Sequence, residues 1–231
     1  MISSNDIQPF LVGTNNAKEM LKIGVELLAK KGTAVDAVEA TIRAVEENPL
    51  DLSVGMGGIP NLFGIPQLDA SIMDGKTRKA GAVASIEEFL HPISIARKVL
   101  EDSPHTLLVS RGAELFAEAM GFTRNNLLTN RSLTVYKAFI ADALDDLNES
   151  FKANKQHYVD AVKNYKLHNW YNQLKDTQHG TVNVIAYDQY GNMCSGVSTS
   201  GTCLKLPGRV GDSAIIGAGN YCDNRIGAAA C

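Results

Sequence analysis

With 231 residues, 45% of them hydrophobic and 20% charged, the chain has the make-up of an ordinary globular protein and can bury a substantial core. A net charge of −3 leaves no basic excess for nucleic acid or an anionic membrane surface, and no apolar run approaches the length that spans a bilayer. The opening Met1-Ile2-Ser3-Ser4-Asn5-Asp6 lacks the regions of a signal peptide, so the chain is expected to be cytosolic or to lack its native start, and its compartment stays open.

Asn15 or Asn16 is expected to cap a helix running through Lys31, with Gly32 as its stop. Thr33-Ala34-Val35-Asp36 then reads as a capping box with Asp in place of Glu. Val35, Val38, Ile42 and Val45 fall on one helical face until Pro49 forbids continuation. Gly55-Met56-Gly57-Gly58 and Gly217-Ala218-Gly219 lack the Gly-Lys-Ser/Thr of a phosphate loop and read as tight turns. Residues 68–75 predict a strand ending in an Asp-Gly turn, and residues 80–85 a second strand of small residues. Pro92 opens a helix to residue 100, residues 106–110 form a short strand, and residues 113–120 form a helix closed by Gly121. Over 134–175 charged and amide residues dominate, which predicts an exposed helix and then a linker ending at His179-Gly180.

Four cysteines, Cys194, Cys203, Cys222 and Cys231, sit in the last quarter without a C-x-x-C pair. They read as small buried thiols rather than zinc ligands, with disulfides open only to an oxidising compartment. Asn130-Arg131-Ser132 and Asn148-Glu149-Ser150 match a glycosylation pattern too short to carry weight alone.

After residue 180 the pattern turns to β. Residues 181–187 and 193–199 alternate branched side chains around an Asp188-to-Asn192 turn. With Tyr190 at the apex, Thr181 and Thr199 are each nine residues away, and antiparallel pairing sets them opposite one another. Opposed side chains lie about 4.5–5.5 Å apart at Cβ, so the Thr199 hydroxyl is expected to reach the Thr181 hydroxyl and orient it. The plainer alternative is two strand threonines that merely pair. A threonine hydroxyl is a weak nucleophile until it is the first residue of a chain, when its own α-amino group, with a pKa of about 7.7–8.0, can serve as the base. Gly180 suits a cut there. Arg209 and Asp212 follow in a glycine-flanked loop, and together they complement the carboxylate and ammonium of a free amino acid. Taken alone, they could equally be a surface ion pair.

These residues resemble the N-terminal-nucleophile amidohydrolases of the glycosylasparaginase family, which includes plant-type asparaginases and isoaspartyl peptidases. The likeness covers nearly the whole chain, through Gly32-Thr33-Ala34-Val35-Asp36-Ala37-Val38-Glu39, Ser53-Val54-Gly55-Met56-Gly57-Gly58, Leu68-Asp69-Ala70-Ser71-Ile72-Met73-Asp74-Gly75 and His91-Pro92-Ile93. Its most specific part is His179-Gly180-Thr181, Ser198-Thr199-Ser200-Gly201 and Gly208-Arg209-Val210-Gly211-Asp212-Ser213. The resemblance implies an α+β fold, a four-layer αββα sandwich, in one structural domain. Residues 1–180 would be the α-subunit part with an exposed linker over 141–180, and residues 181–231 the start of the β-subunit. It implies a precursor cut between Gly180 and Thr181, Thr181 as nucleophile with Thr199 orienting it, and Arg209 and Asp212 holding the substrate's α-carboxylate and α-amino group. No metal or organic cofactor is implied. The expected ligand is asparagine or glycosylated asparagine, and the expected assembly a homodimer of αβ units. The substrate preferred on these motifs is N4-(β-N-acetylglucosaminyl)-L-asparagine, with asparagine or isoaspartyl peptides as the alternative. In this family Asp is usual where Gly180 stands, a tryptophan-bearing N-terminal segment lines the pocket, and a Thr-Gly pair follows the equivalent of Cys231. The chain is therefore expected to be truncated at both ends, and an uncleaved, non-enzymatic structural or interaction protein is the reading of a different class.

Overall fold

The computed structural model describes residues 8–143 and 180–231. The linker expected over 141–180, together with His179, Trp170 and the Asn148 pattern, lies outside the described residues apart from the linker's two ends.

Among the described residues, five α-helices and eight strands follow in chain order. A six-stranded sheet has the order β1-β5-β6-β2-β3-β4, and every pairing is antiparallel except β3 with β4. Its strands are β1 (Phe10–Gly13), β2 (Gln67–Asp74), β3 (Ala80–Glu87), β4 (Leu107–Val109), β5 (Val182–Tyr187) and β6 (Met193–Thr199). A separate hairpin pairs β7 (Asn220–Asp223) with β8 (Gly227–Ala230). The helices are α1 (Leu21–Ala29), α2 (Ala34–Glu46), α3 (Pro92–Asp102), α4 (Ser110–Ala119) and α5 (Asn130–Ala143).

Period-two alternation divides the sheet between two environments. Leu68, Ala70, Ile72, Val184 and Ala186 join one buried cluster with Val38, Ile42, Val45, Ile93 and Ile95 of the helices. The odd-numbered side chains of β2 face the other way. There Ser71 Oγ donates to the Ser213 carbonyl, and Met73 Sδ accepts the Cys222 N–H of β7. A mixed α/β architecture thus agrees with the α+β expectation.

Several local expectations hold because their causes are local. The Thr33–Asp36 capping box is complete: the Asp36 N–H donates to Thr33 Oγ1, and the Thr33 N–H donates to Asp36 Oδ2. Val38, Ile42 and Val45 are fully buried beneath α2. Pro92 opens α3, and Gly121 takes a positive φ after α4.

Others need correction. The helix expected from Asn15 or Asn16 starts at Leu21, because Asn15–Ala17 forms its own 3-10 turn. Asn16 is committed to tertiary bonds instead, accepting from Thr14 Oγ1 and donating to Asp51 Oδ2 at 3.0 Å. That helix ends with Lys31, not Gly32, in the left-handed region at φ 66°. The Lys31 N–H bonds Leu28 O while Gly32 bonds Leu27 O, the paired closure of a Schellman motif. Gly32 is needed for closeness, since a Cβ there would sit 2.9 Å from Leu27 O. Residue 110 ends no strand; Ser110 begins α4, three residues before the expected start. Strands β1, β7 and β8 were not foreseen. Three cysteines are buried free thiols as expected, whereas Cys231 is exposed, and burial pushes the Cys203 and Cys222 thiols up to about 12.

Candidate active site

The β5–β6 hairpin carries the register deduced from spacing. Val182 pairs with Ser198 and Tyr187 with Met193, which continued outward sets Thr181 opposite Thr199. Strand β5 itself begins at Val182, so Thr181 lies just outside the ladder. The hydroxyl contact differs from the expectation. Thr199 Oγ1 donates to the Gly180 carbonyl at 3.1 Å and accepts the Gly201 N–H at 2.9 Å, and it makes no hydrogen bond to the Thr181 hydroxyl. The Gly180 carbonyl, one residue before Thr181, is the acceptor that the Thr199 hydroxyl meets.

A cavity of about 240 Å³ is lined by Gly180, Thr181, Thr199, Thr202, Arg209, Asp212 and Ser213 among others. All five residues singled out from sequence therefore line one cavity. Arg209 and Asp212 do not pair with each other, and among the described residues neither makes an ion pair, so both charges are free to meet a ligand. Ser213 is buried, and its Oγ finds no hydrogen-bond partner there.

Gly180 also lines a second cavity of about 390 Å³, with Asn16, Asp51, Ser53 and Arg131. On that side Ser53 packs directly against it: a Cβ added to Gly180 would fall 2.0 Å from Ser53 Oγ. Ser53 is held in turn, its N–H donating to Asp51 Oδ1 at 2.8 Å and its hydroxyl to the same oxygen at 2.5 Å. The Ser53 carbonyl accepts the Ser200 N–H at 2.7 Å, tying this loop to the end of β6.

On the helix side, Ser198 Oγ donates to Glu46 Oε1 at 2.7 Å, and the Ile93 N–H reaches the same oxygen at 3.1 Å. Glu46 is fully buried, and burial raises its carboxyl above the ordinary range although His91 and Ser198 pull the other way. This anchors β6 to α2 and α3 directly beneath Thr199. Sequence reasoning missed Ser53, Glu46, Asp69 and Lys205. The last two carried a legible signal, since each is a charge set inside an otherwise apolar run, Leu68-Asp69-Ala70 and Leu204-Lys205-Leu206. Among the described residues no group of three or more His, Cys, Asp or Glu is arranged to hold a metal, and no helix is long and apolar enough to cross a membrane.

The family model described as Asparaginase (Asparaginase_2) matches residues 8–231. The chain is 40% identical over 204 residues to an N(4)-(beta-N-acetylglucosaminyl)-L-asparaginase of Elizabethkingia miricola, covering 88% of this chain and 52% of that protein. It is 38% identical over 214 residues to a plant-type L-asparaginase of Pyrococcus horikoshii, covering 93% and 65%. A mouse isoaspartyl peptidase/L-asparaginase is 36% identical over 224 residues, covering 92% and 61%. The chain thus spans about half to two thirds of the length of these relatives.

Proposed function

This chain belongs to the asparaginase family, and on that premise we propose that it is an amidohydrolase that cuts itself between Gly180 and Thr181 and then uses Thr181 as its nucleophile. The observation that carries the reading is the shared cavity, which Gly180, Thr181, Thr199, Arg209 and Asp212 all line.

In the first reaction the Thr181 hydroxyl attacks the Gly180 carbonyl carbon. The Thr199 hydroxyl, already donating to that carbonyl oxygen at 3.1 Å, stabilises the negative charge that develops there. Breaking the C–N bond moves the acyl group to the threonine oxygen and returns a proton to the freed nitrogen. Water then hydrolyses the ester, leaving Gly180 with a carboxylate and Thr181 with a free amine. In the second reaction that amine accepts the Thr181 hydroxyl proton as the oxygen attacks a substrate side-chain amide. The leaving amine departs protonated, and water resolves the acyl-enzyme. Arg209 holds the substrate α-carboxylate in bidentate fashion, and the Asp212 carboxylate accepts from its ammonium.

A cavity of about 240 Å³ is below the usual span for drug-sized ligands, which suits an amino acid inside and a larger substituent projecting outward. We read the substituent as N-acetylglucosamine on the asparagine amide, with free asparagine or a β-aspartyl peptide as the second reading, because relatives named for each are nearly equally similar. The helix layer over the six-stranded sheet fits two layers of an αββα sandwich, whose mature form is read as a homodimer of αβ units cut at 180/181.

Mass spectrometry of the purified protein tests the first step. A fragment beginning at Thr181 is expected and disappears in Thr181→Ala. A single intact chain, stable for days at neutral pH, would overturn it and favour a non-enzymatic relative. Release of N-acetylglucosamine from glycosylated asparagine, against turnover of a β-aspartyl dipeptide, then separates the substrates.

A further inference from the structure

Strand register extends the catalytic row by one residue. Thr199 on β6 pairs with Asp69 on β2, and Thr181 stands one residue before β5 where the register continued outward sets it opposite Thr199, so the three fall in one row. Asp69 is fully buried at a point where the β2–β3 register shifts. Its Oδ1 accepts the Ser85 N–H at 2.7 Å, and its Oδ2 accepts the Gly211 N–H at 3.5 Å. Lys205 Nζ stands 4.0 Å from that same Oδ2, its side chain only 1% exposed, and donates to the Gln67 carbonyl at 2.8 Å. The Gly208 N–H donates to Gln67 Oε1 at 3.0 Å. The start of β2 therefore grips the loop at residues 205, 208 and 211, and Arg209 and Asp212 ride on that loop.

The charges are unbalanced in a telling way. An ideal Cβ on Gly201 would lie 2.8 Å from Lys205 Nζ and 3.2 Å from an Arg209 guanidinium nitrogen, so both cations crowd one glycine. Among the described residues Asp69 is the carboxylate that answers Lys205, and Arg209 has no carboxylate partner. Burial draws the Lys205 ammonium below the ordinary lysine range; Asp69 opposes that shift and Arg209 adds to it. A ligand carboxylate on Arg209 relieves the crowding.

We propose that Asp69 and Lys205 are a buried positioning pair that sets the 205–212 loop, so that Arg209 and Asp212 meet the two charged ends of an α-amino-acid ligand. The inference rests on the role given to Arg209 and Asp212 above, but one of its two readouts needs no ligand. Asp69→Asn keeps the side chain's size and can still accept from Ser85. Its amide nitrogen cannot accept from Gly211, and it leaves the Lys205 ammonium unanswered in a dry site.

The test uses the whole chain with Asp69→Asn, Lys205→Met and the double variant, each first shown by circular dichroism to keep its secondary structure. Hydrogen exchange over 205–212 is expected to quicken about tenfold in either single variant, and L-aspartate affinity measured by calorimetry to fall about tenfold or more. The double variant, having no unpaired buried charge, recovers part of both losses. Exchange and affinity like those of the parent in both single variants would overturn the proposal. Should Asp69→Asn not fold, Lys205→Met decides by the same two readouts. Failure of the unmodified protein to bind L-aspartate would instead remove the role given to Arg209 and Asp212, and loop exchange then decides the positioning pair by itself.

Discussion

Gly180→Ala tests whether the residue before the nucleophile is glycine because of its neighbour. The new Cβ would lie 2.0 Å from Ser53 Oγ and 2.2 Å from Ser53 Cβ, distances that no pair of non-bonded atoms sustains. Ser53 has little room to retreat. Its hydroxyl and N–H are both bound to Asp51, and its carbonyl is bound to the Ser200 N–H. Overpacking of this kind costs about 1–3 kcal/mol. At about 2–4 °C per kcal/mol for a chain of this size, the thermal midpoint should fall by about 2–12 °C. The strain also pushes the Gly180 carbonyl away from Thr199 Oγ1, and losing an oxyanion donor slows a reaction by about 10²–10³ at most, so slower self-cleavage accompanies the lower midpoint. A double-mutant cycle in thermal unfolding isolates the cause. Ser53→Gly removes the Cβ in the way and should restore most of the lost stability in the Gly180→Ala background, with a coupling of about 1 kcal/mol or more. Ser53→Ala keeps the offending Cβ and should not. A Gly180→Ala protein that unfolds and cleaves like its parent would refute the steric argument.

Two further perturbations address the frame around the site. Thr33→Ala removes the hydroxyl that caps α2 and should cost about 1 kcal/mol in urea unfolding at neutral pH. Burial alone would raise the Asp36 carboxyl, but bonds from Thr33 and the Arg97 guanidinium hold it below its ordinary value of 3.8. That stabilisation is present above the unfolded value and is lost as pH falls through the lower folded one, so Thr33→Ala should show a shallower acid limb; parallel limbs would clear the cap of responsibility. Glu46 runs the opposite way. Burial lifts its carboxyl above 4.5, so the folded state keeps a proton that the unfolded chain releases. The contribution of Glu46 to stability should therefore be greatest below about 4.5 and decline as pH rises towards the folded value, and Glu46→Gln, also able to accept from Ser198 and Ile93, should lack that decline. Identical profiles for the two proteins would remove Glu46 as the source.

The features legible in the sequence are those whose physics closes within a few residues. Thr33 and Asp36 are three apart and satisfy each other's backbone, so the start of α2 needed nothing distant. The β5–β6 register follows from a turn centred on Tyr190 and the period of two, which together leave Thr181 and Thr199 no other alignment. The apolar stripe of α2 likewise names its own buried face. Tertiary structure decided whatever depends on which distant groups become neighbours. Strand β1 is a short run whose place is set by pairing with β5, from Phe10 opposite Tyr187 to Gly13 opposite Val184. Lys31 rather than Gly32 takes the strained φ, because Gly32 must pass close to Leu27 O. The Thr199 hydroxyl chose the Gly180 carbonyl over the Thr181 side chain, and Asp69 found Lys205, 136 positions further along the chain. Periodicity records which way a side chain points, whereas the identity of its partner is set only when separate stretches of chain exclude water together.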